Sequence, residues 1–251
     1  MTPRVVVADI SELQRTFARE FETRAVEVIA RREKFIVGLP GGSVATTFFP
    51  ILAGLAVDWT RIEIFWIDER AVPPDHPESN YGVASRLLLV PARVPAARIH
   101  RMHGELPELE QAARRAADEL RSIAGDPPRL DLALVGVGDD GHVASIFAGG
   151  TGLPPSREAS ADHRSLGEGG QPCPTPVIAV YDSPKPPSRR LTLTLSVLAH
   201  ADRVVVAAFG VSKAAVMRDA LADRNSTTPV AGLLRAAPSS LVLLDREAGL
   251  S

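Results

Sequence analysis

The sequence has very little cysteine, and Cys173 is the only one among its 251 residues. A single cysteine excludes an intramolecular disulfide and favours a cytoplasmic location. Long hydrophobic runs are also absent, since no apolar stretch approaches the roughly 20 residues that cross a bilayer as a helix. The amino-terminal segment carries charges such as Asp9 and Glu12, so it lacks the pattern of a secretory signal peptide.

The sequence also lacks an excess of charge of either sign. Its 28 Lys and Arg residues and 30 Asp and Glu residues leave a formal net charge of -2. A chain this close to neutrality gives no reason to expect nucleic acid or an anionic membrane as a partner. The composition, 45% hydrophobic and 23% charged, is ordinary for a globular protein.

Short β-branched runs alternate with segments of helical periodicity along most of the chain. The pattern predicts strands at residues 5–8, 35–39, 62–67, 132–135, 177–181, 191–195, 204–209 and 241–244. It predicts helices at residues 13–29, 80–89, 106–123 and 228–234, with two more running to residues 55 and 221. This alternation is typical of an α/β fold with a mainly parallel, doubly wound (Rossmann-like) sheet and helices on both faces.

The sequence contains no internal repeat and no linker, so we expect a single domain over residues 1–251. Residues 149–176 are rich in Gly, Pro and Ser and have hardly any apolar periodicity. A loop of this length inside a compact domain is either functional or mobile, and the scarcity of residues that could pack predicts a mobile loop.

The central stretch, residues 130–147, reads LDLALVGVGDDGHVASIF. Its apolar run predicts a buried strand, and the glycines that follow permit a sharp turn. His142 is then expected just past the carboxyl edge of the strand, at the start of the next helix. Open α/β sheets bind ligands at that edge, and a histidine there can titrate near neutral pH. We interpret His142 as the catalytic residue, while Asp140 has three open roles: orienting water, orienting His142 or capping the helix.

Polar groups follow three further predicted strands, at Gly41-Gly42-Ser43, Asp68-Glu69-Arg70 and Gly210-Val211-Ser212-Lys213. The carboxyl ends of parallel strands meet at one edge, so residues distant in sequence can converge there. A turn of backbone N–H groups, an arginine and a lysine would together suit a phosphate, although a Gly-Gly-Ser sequence fits a simple tight turn equally well. The residues alone suggest a sugar-phosphate enzyme that uses acid–base chemistry.

Other classes of site are less well supported. His100 and His103 form an HxxH pair, but no acid or cysteine at ligand spacing accompanies it, so we expect no metal. Ser43 is not in the Gly-x-Ser-x-Gly elbow of a serine hydrolase. The amino-terminal segment leaves no room for a helix-turn-helix, which disfavours a repressor. A non-catalytic module that binds a sugar phosphate remains an alternative.

Five stretches resemble the 6-phosphogluconolactonases, which share a superfamily with glucosamine-6-phosphate deaminase. In chain order they are GLPGGSVAT, FWIDERAVPPDHPESNYG, LDLALVGVGDDGHVASIF, DSPKPPSRRLTLT and GVSKAAV. They occur in the family's order and span nearly the whole chain. The chain departs from the family at Val44-Ala45, where Thr-Pro is usual, and at Val143, where Thr is usual.

The resemblance implies hydrolysis of 6-phosphogluconolactone to 6-phosphogluconate in the pentose phosphate pathway, without a metal or an organic cofactor. It implies that His142 is the general base. It also implies that Arg70 and Lys213 bind the phosphate, together with Ser43 and the backbone of Gly41-Gly42. Related lactonases are often monomers, which is the state we expect here.

The resemblance leaves three further residues with alternative roles. Asp68 is expected to contact sugar hydroxyls or to hold Arg70. Lys185 and Arg189 are either additional binding residues or surface charges beside a proline turn. The deaminase is the nearest alternative, but that family carries a glutamate where this chain has Phe147. It also usually has Asp-Glu-Tyr where this chain has Asp68-Glu69-Arg70.

Overall fold

The computed structural model describes residues 2–149 and 175–249. Over these residues the strands are β1 (Arg4–Ala8), β2 (Phe35–Leu39), β3 (Ile62–Trp66), β4 (Asp68–Arg70), β5 (Ile99–His100), β6 (Leu132–Gly136), β7 (Val177–Val180), β8 (Arg190–Leu193), β9 (Val204–Ala208) and β10 (Ser240–Asp245). The α-helices of the same residues are α1 (Ile10–Arg32), α2 (Gly42–Ala53), α3 (Asn80–Ala84), α4 (Leu109–Ala124), α5 (Leu195–Ala199), α6 (Ala214–Ala222) and α7 (Pro229–Ala236). A π-helical turn, Ser85–Leu89, continues α3 to the end of the predicted helix.

The main sheet has seven strands in the order β1-β10-β9-β6-β2-β3-β5, and all its neighbouring strands are parallel. Successive residues of β6 alternate between two buried clusters: Leu132 and Leu134 pack on the side of α1 and α2, and Ala133 and Val135 pack on the side of α4, α6 and α7. Helices thus cover both faces, as the near-continuous apolar strands require. The predicted fold class, a mainly parallel doubly wound sheet, is confirmed.

A second, smaller sheet has the order β4-β8-β7 and is antiparallel. The sequence predicts β7 and β8 as strands but places Asp68-Glu69-Arg70 after the end of a strand. In the structure these three residues form β4, with Asp68 opposite Thr192 and Arg70 opposite Arg190. The small sheet therefore places a charged strand directly after β3, beside the carboxyl edge of the main sheet.

One local prediction about His142 is wrong. No helix starts at this residue in the part of the chain that the structure describes; the segment after β6 is a series of turns. Isolated antiparallel bridges join Val137 to Val143 and Val143 to Ile146, so the chain folds back on itself. Gly141, with a φ of 79°, adopts the left-handed conformation that glycine tolerates at such a reversal.

The predicted mobile loop, residues 149–176, falls on residues outside the described part of the chain except for its ends, and Cys173 is among those outside. Over the described residues, every helix is too short or too polar to span a bilayer.

Candidate active site

An open cavity of about 130 Å³ lies at the carboxyl ends of β2 and β6 and beside β4. The residues that line it come from five separate segments: Pro40, Gly41, Gly42, Ser43, Val44, Ile67, Asp68, Arg70, Asn80, Gly136, Val137, Gly138, His142, Ala144 and Arg190. The cavity thus brings together His142, Asp68, Arg70 and the Gly41-Gly42-Ser43 turn, as the shared sheet edge predicts.

The loop that carries His142 is held at both ends and in its middle. The backbone N–H of Gly138 donates to the carbonyl of His142 at 2.9 Å, and that of Gly141 donates to the carbonyl of Gly138 at 3.0 Å. The carbonyl of Gly141 in turn accepts the N–H of Val230, in the first turn of α7, at 3.0 Å. These backbone hydrogen bonds fix the position of the His142 loop at the edge of the cavity.

Asp140 holds the imidazole of His142. Its Oδ1 lies 2.5 Å from Nδ1 of the ring and also accepts the backbone N–H of His142 at 3.2 Å. Helix capping is excluded as the role of Asp140, because no helix begins here among the described residues. Since a carboxylate only accepts, Nδ1 carries the proton and Nε2 has the lone pair.

The ionisation of this pair suits a general base. Burial lowers the pKa of His142 below its ordinary value, although the hydrogen bond that the imidazole donates to Asp140 opposes that shift. Burial raises the pKa of Asp140, but the hydrogen bonds from His142 outweigh it and leave the pKa below its ordinary value. At neutral pH the imidazole is therefore neutral beside a charged carboxylate.

Strand β4 directs its neighbouring charges to opposite sides. Asp68 and Arg70 line the cavity. Glu69 points away from it and is buried, and burial raises its pKa against the effect of its backbone hydrogen bonds. It accepts hydrogen bonds from the backbone N–H groups of Arg70 (2.7 Å), Asn80 (2.7 Å) and Tyr81 (2.8 Å), and from Oγ of Ser79 (3.1 Å). Glu69 thus fixes the start of α3 against β4.

Helix α2 begins at the cavity without a side chain to cap it. Gly41 occupies the N-cap position and Gly42 has a φ of 64°. A Cβ at position 41 would overlap the side-chain amide of Asn80, so this position requires glycine. The free N–H groups of the first helical turn and the helix dipole favour an anion at this point.

Asp68 belongs to a buried polar network. Its Oδ2 accepts the hydroxyl of Ser145 at 2.7 Å, and its Oδ1 accepts Nδ2 of Asn80 at 3.2 Å. The hydroxyl of Ser145 also accepts Nη1 of Arg190 at 3.3 Å. In the described part of the chain Asp68 makes its side-chain hydrogen bonds to Asn80 and Ser145 rather than to Arg70, so the role of holding Arg70 is not supported. Contact with sugar hydroxyls stays a prediction.

Three residues of this site were not predicted from the sequence: Asn80, Gly138 and Arg190. Asn80 is 1% exposed and its Nδ2 donates to the carbonyl of Asp68 at 2.9 Å. A side chain at Gly138 would occupy the space of the His142 ring. Burial lowers the pKa of Arg190, and Asp68 opposes that effect. Asn80 and Arg190 could have been found from the sequence because both lie within the stretches that resemble the 6-phosphogluconolactonases.

Three predicted cations lie outside the lining of the cavity, as far as the described residues define it. Lys213 forms an ion pair with Asp139, and burial lowers its pKa. Arg189 donates to the carbonyl of Pro107 at 3.2 Å. Lys185 is near enough to His142 to influence its pKa. Their predicted binding roles stay predictions.

The HxxH pair has partners that the sequence does not reveal. Nδ1 of His100 lies 2.8 Å from Glu119 and Nε2 lies 2.8 Å from Glu63. His103 contacts Glu105 at 3.2 Å instead. His100 therefore links β5 to β3 and α4 as part of the fold.

A family model described as glucosamine-6-phosphate isomerases/6-phosphogluconolactonase matches residues 8–243. The 6-phosphogluconolactonase of Rattus norvegicus is 36% identical over 235 residues, covering 90% of this chain and 84% of the relative. That of Pseudomonas putida is 32% identical over 221 residues, covering 88% of this chain and 84% of the relative.

A relative from Oryza sativa, named probable 6-phosphogluconolactonase 3, chloroplastic, is 34% identical over 221 residues. The match covers 80% of this chain, which spans only 60% of the length of that relative. The solved 6-phosphogluconolactonase of Thermotoga maritima has a TM-score of 0.81 at 25% identity, over 97% of this chain and 100% of that one. A monomeric glucosamine-6-phosphate deaminase, at 20% identity and a TM-score of 0.76, covers 98% of each chain and shares the fold.

Proposed function

The chain belongs to the glucosamine-6-phosphate isomerase/6-phosphogluconolactonase family, and on that premise we propose that it hydrolyses 6-phospho-D-glucono-1,5-lactone to 6-phosphogluconate. Relatives at 32% and 36% identity that bear the name 6-phosphogluconolactonase support this activity. The observation that carries the proposal is one cavity lined by the Asp140-held imidazole of His142, by Arg70 and by the start of α2.

In the proposed reaction His142 acts as the general base. Nε2 takes a proton from water as the water oxygen attacks the lactone carbonyl carbon, and a tetrahedral intermediate forms. Collapse of this intermediate breaks the bond between that carbon and the ring oxygen, and the imidazolium returns its proton to the departing oxygen. The Asp140 carboxylate stabilises the imidazolium between the two steps. A general base of this kind contributes about 10²–10⁴-fold to the rate.

The same cavity offers a site for the substrate phosphate. Nε of Arg70 is buried and has no hydrogen-bond partner among the described residues, while its Nη1 donates to the carbonyl of Glu78 at 2.6 Å. An anion at the start of α2 would accept the free N–H groups of Gly42 and Ser43 and pair with this guanidinium. We therefore assign the phosphate to Arg70 and α2. Arg190 fixes Asp68 through the hydroxyl of Ser145.

Lys213 can be tested as a phosphate ligand by a matched pair of variants. If Lys213 reaches the phosphate, Lys213→Ala raises KM and Asp139→Asn leaves KM nearly unchanged. If the ion pair only holds the His142 loop against the start of α6, Lys213→Ala and Asp139→Asn have the same effect as each other on kcat and on KM. Steady-state kinetics of both variants distinguish these roles.

The apolar ring of Phe147 disfavours the deaminase alternative. Phe147 is 8% exposed and packs against His142, at the position where the deaminases carry a glutamate. Opening an aminosugar ring needs acids that relay protons, which a phenylalanine cannot do.

The proposed function is tested by following acid release from freshly generated 6-phosphogluconolactone, with ammonia release from glucosamine 6-phosphate measured in parallel. The lactone also opens spontaneously, so the rate without enzyme is subtracted. We expect acid release from the lactone, no ammonia, and loss of the catalysed rate in His142→Ala with product binding retained. Turnover of His142→Ala at the wild-type rate would remove this residue from the reaction. A cytoplasmic location and a monomeric state stay predictions.

A further inference from the structure

Phe147 packs on the ring of His142 from outside the cavity. The two ring centroids are 4.5 Å apart and the planes are inclined by 35°. Phe147 is 8% exposed and is not one of the residues that line the cavity in the described part of the chain. Phe147 therefore contacts the residue on which the proposed reaction depends without itself lining the cavity.

The imidazole is enclosed on three sides by different means. Asp140 bonds to Nδ1 at the ring edge, Phe147 contacts a ring face, and Gly138 leaves space that a side chain would take from the ring. Of these three contacts, the sequence suggests only the first, as one of three open roles of Asp140. The aromatic contact depends on the turn at 143–146, where Ala144 has a φ of 50° and the chain reverses.

We propose that Phe147 is a positioning residue that holds the His142 ring in the orientation selected by Asp140 and keeps water from one ring face. This inference rests on the proposed function of His142 as a base. An aromatic contact of this kind changes the population of the held orientation by a factor of roughly 2 to 13. A loss of that size falls on kcat, because the ground-state contacts of the substrate do not involve Phe147.

The Phe147 ring is also expected to influence the pKa of His142, which depends on burial and on nearby charged groups. Asp140 of the same loop and Asp68 of β4 raise the pKa of His142, while Lys185 from the connection between β7 and β8 lowers it. Burial is the largest influence and lowers this pKa. Removing the Phe147 ring admits water, so the pKa is expected to rise towards the ordinary histidine value of about 6.5.

The test compares Phe147→Leu, which removes the aromatic ring, with Phe147→Tyr, which keeps it. Phe65→Leu is the matched control, because Phe65 is 5% exposed and stacks on His100 at 4.6 Å, away from the cavity. The readouts are kcat and KM for the lactone, the pH profile of kcat/KM, and an NMR titration of the His142 ring protons, assigned with His142→Ala.

We expect Phe147→Leu to lower kcat about 2- to 13-fold with KM within about twofold, and to move the acid limb and the NMR titration to higher pH. Phe147→Tyr should keep kcat and the His142 titration close to those of the wild type, and Phe65→Leu should change neither kcat nor the titration. The proposal is overturned if Phe147→Leu keeps the wild-type kcat and titration, or if Phe65→Leu reproduces its effects. If Phe147→Leu does not fold, Phe147→Met takes its place.

The two proposals fail in distinguishable ways. A wild-type protein without lactonase activity refutes the proposed function, whereas the NMR titration still decides whether Phe147 controls His142. An active wild type whose Phe147→Leu variant is kinetically and spectroscopically unchanged refutes only the role of Phe147.

Discussion

Replacing Asp140 by asparagine removes a charge while keeping the shape of the side chain. Oδ1 of Asp140 accepts both Nδ1–H and the backbone N–H of His142. Because two donors converge on this atom, we expect the amide oxygen of Asp140→Asn to take the same place. The proton then stays on Nδ1, and Nε2 keeps the lone pair that the reaction needs.

The expected loss follows from the change in one hydrogen bond. A bond to a charged partner is worth about 1.5–3 kcal/mol, and a neutral bond about 0.5–1.5 kcal/mol. The difference of about 1–2 kcal/mol corresponds to a roughly 5- to 30-fold fall in kcat. Since the hydrogen bond that His142 donates to Asp140 raises the pKa of His142, weakening this bond moves the acid limb of kcat/KM to lower pH. This shift is opposite in sign to the one expected for Phe147→Leu.

The measurement is kcat/KM for lactone hydrolysis across about pH 5–8, which brackets the ordinary histidine pKa. His142→Ala provides the lower limit of the catalysed rate. A loss as large as that of His142→Ala would mean that the asparagine reverses and imposes the wrong tautomer, contrary to our reasoning. An unchanged kcat, or an acid limb at higher pH, would show that Asp140 does not support the base.

Three other variants test the remaining parts of the cavity. Arg70→Ala should raise KM more than about tenfold with kcat within about threefold, because a phosphate contact serves ground and transition states alike; a selective fall in kcat in steady-state assays would contradict this. Gly41→Ala should lower the free energy of unfolding by about 1–3 kcal/mol in urea and raise KM, because the new methyl group displaces Asn80. Gly54→Ala, whose Cβ meets nothing closer than 3.6 Å, is its control, and equal effects would refute the overlap. Glu69→Ala should cost about 3 kcal/mol in the same urea assay by leaving buried donors unpaired, and a loss below about 1 kcal/mol would show that water replaces the carboxylate.

Six of the seven strands of the main sheet could be predicted from the sequence because they contain apolar, β-branched runs, whereas β5 was missed because its two residues, Ile99 and His100, form no such run. The runs at 35–39 and 204–209 contain too little polar character to lie anywhere but between two layers of helices. The antiparallel sheet could not be predicted in the same way. Strand β4 is three charged residues, and its partner, β8, is distant in sequence, so no local pattern indicates the pairing.

Site residues that directly follow a predicted strand, such as His142, could be predicted from the sequence. The sequence could not show which of two adjacent residues with the same side chain faces the cavity. Arg189 and Arg190 are adjacent in the sequence, yet only Arg190 is buried and lines the cavity. Arg190 is the first residue of β8, whereas Arg189 precedes that strand and donates to the carbonyl of Pro107. His142 was found from its place after β6. Its surroundings were missed because the glycine turn, rather than a helix, follows that strand.

The alternation along β4 also limits how this protein can change. Adding or removing one residue before Asp68 would reverse which side chains of β4 face the cavity. Glu69 would then point into the cavity, and Asp68 and Arg70 would point towards α3. Length variation is therefore expected to be excluded from β4 and confined to the connection at residues 71–78. The position of Asp68, Glu69 and Arg70 along β4 therefore matters as much as their charges.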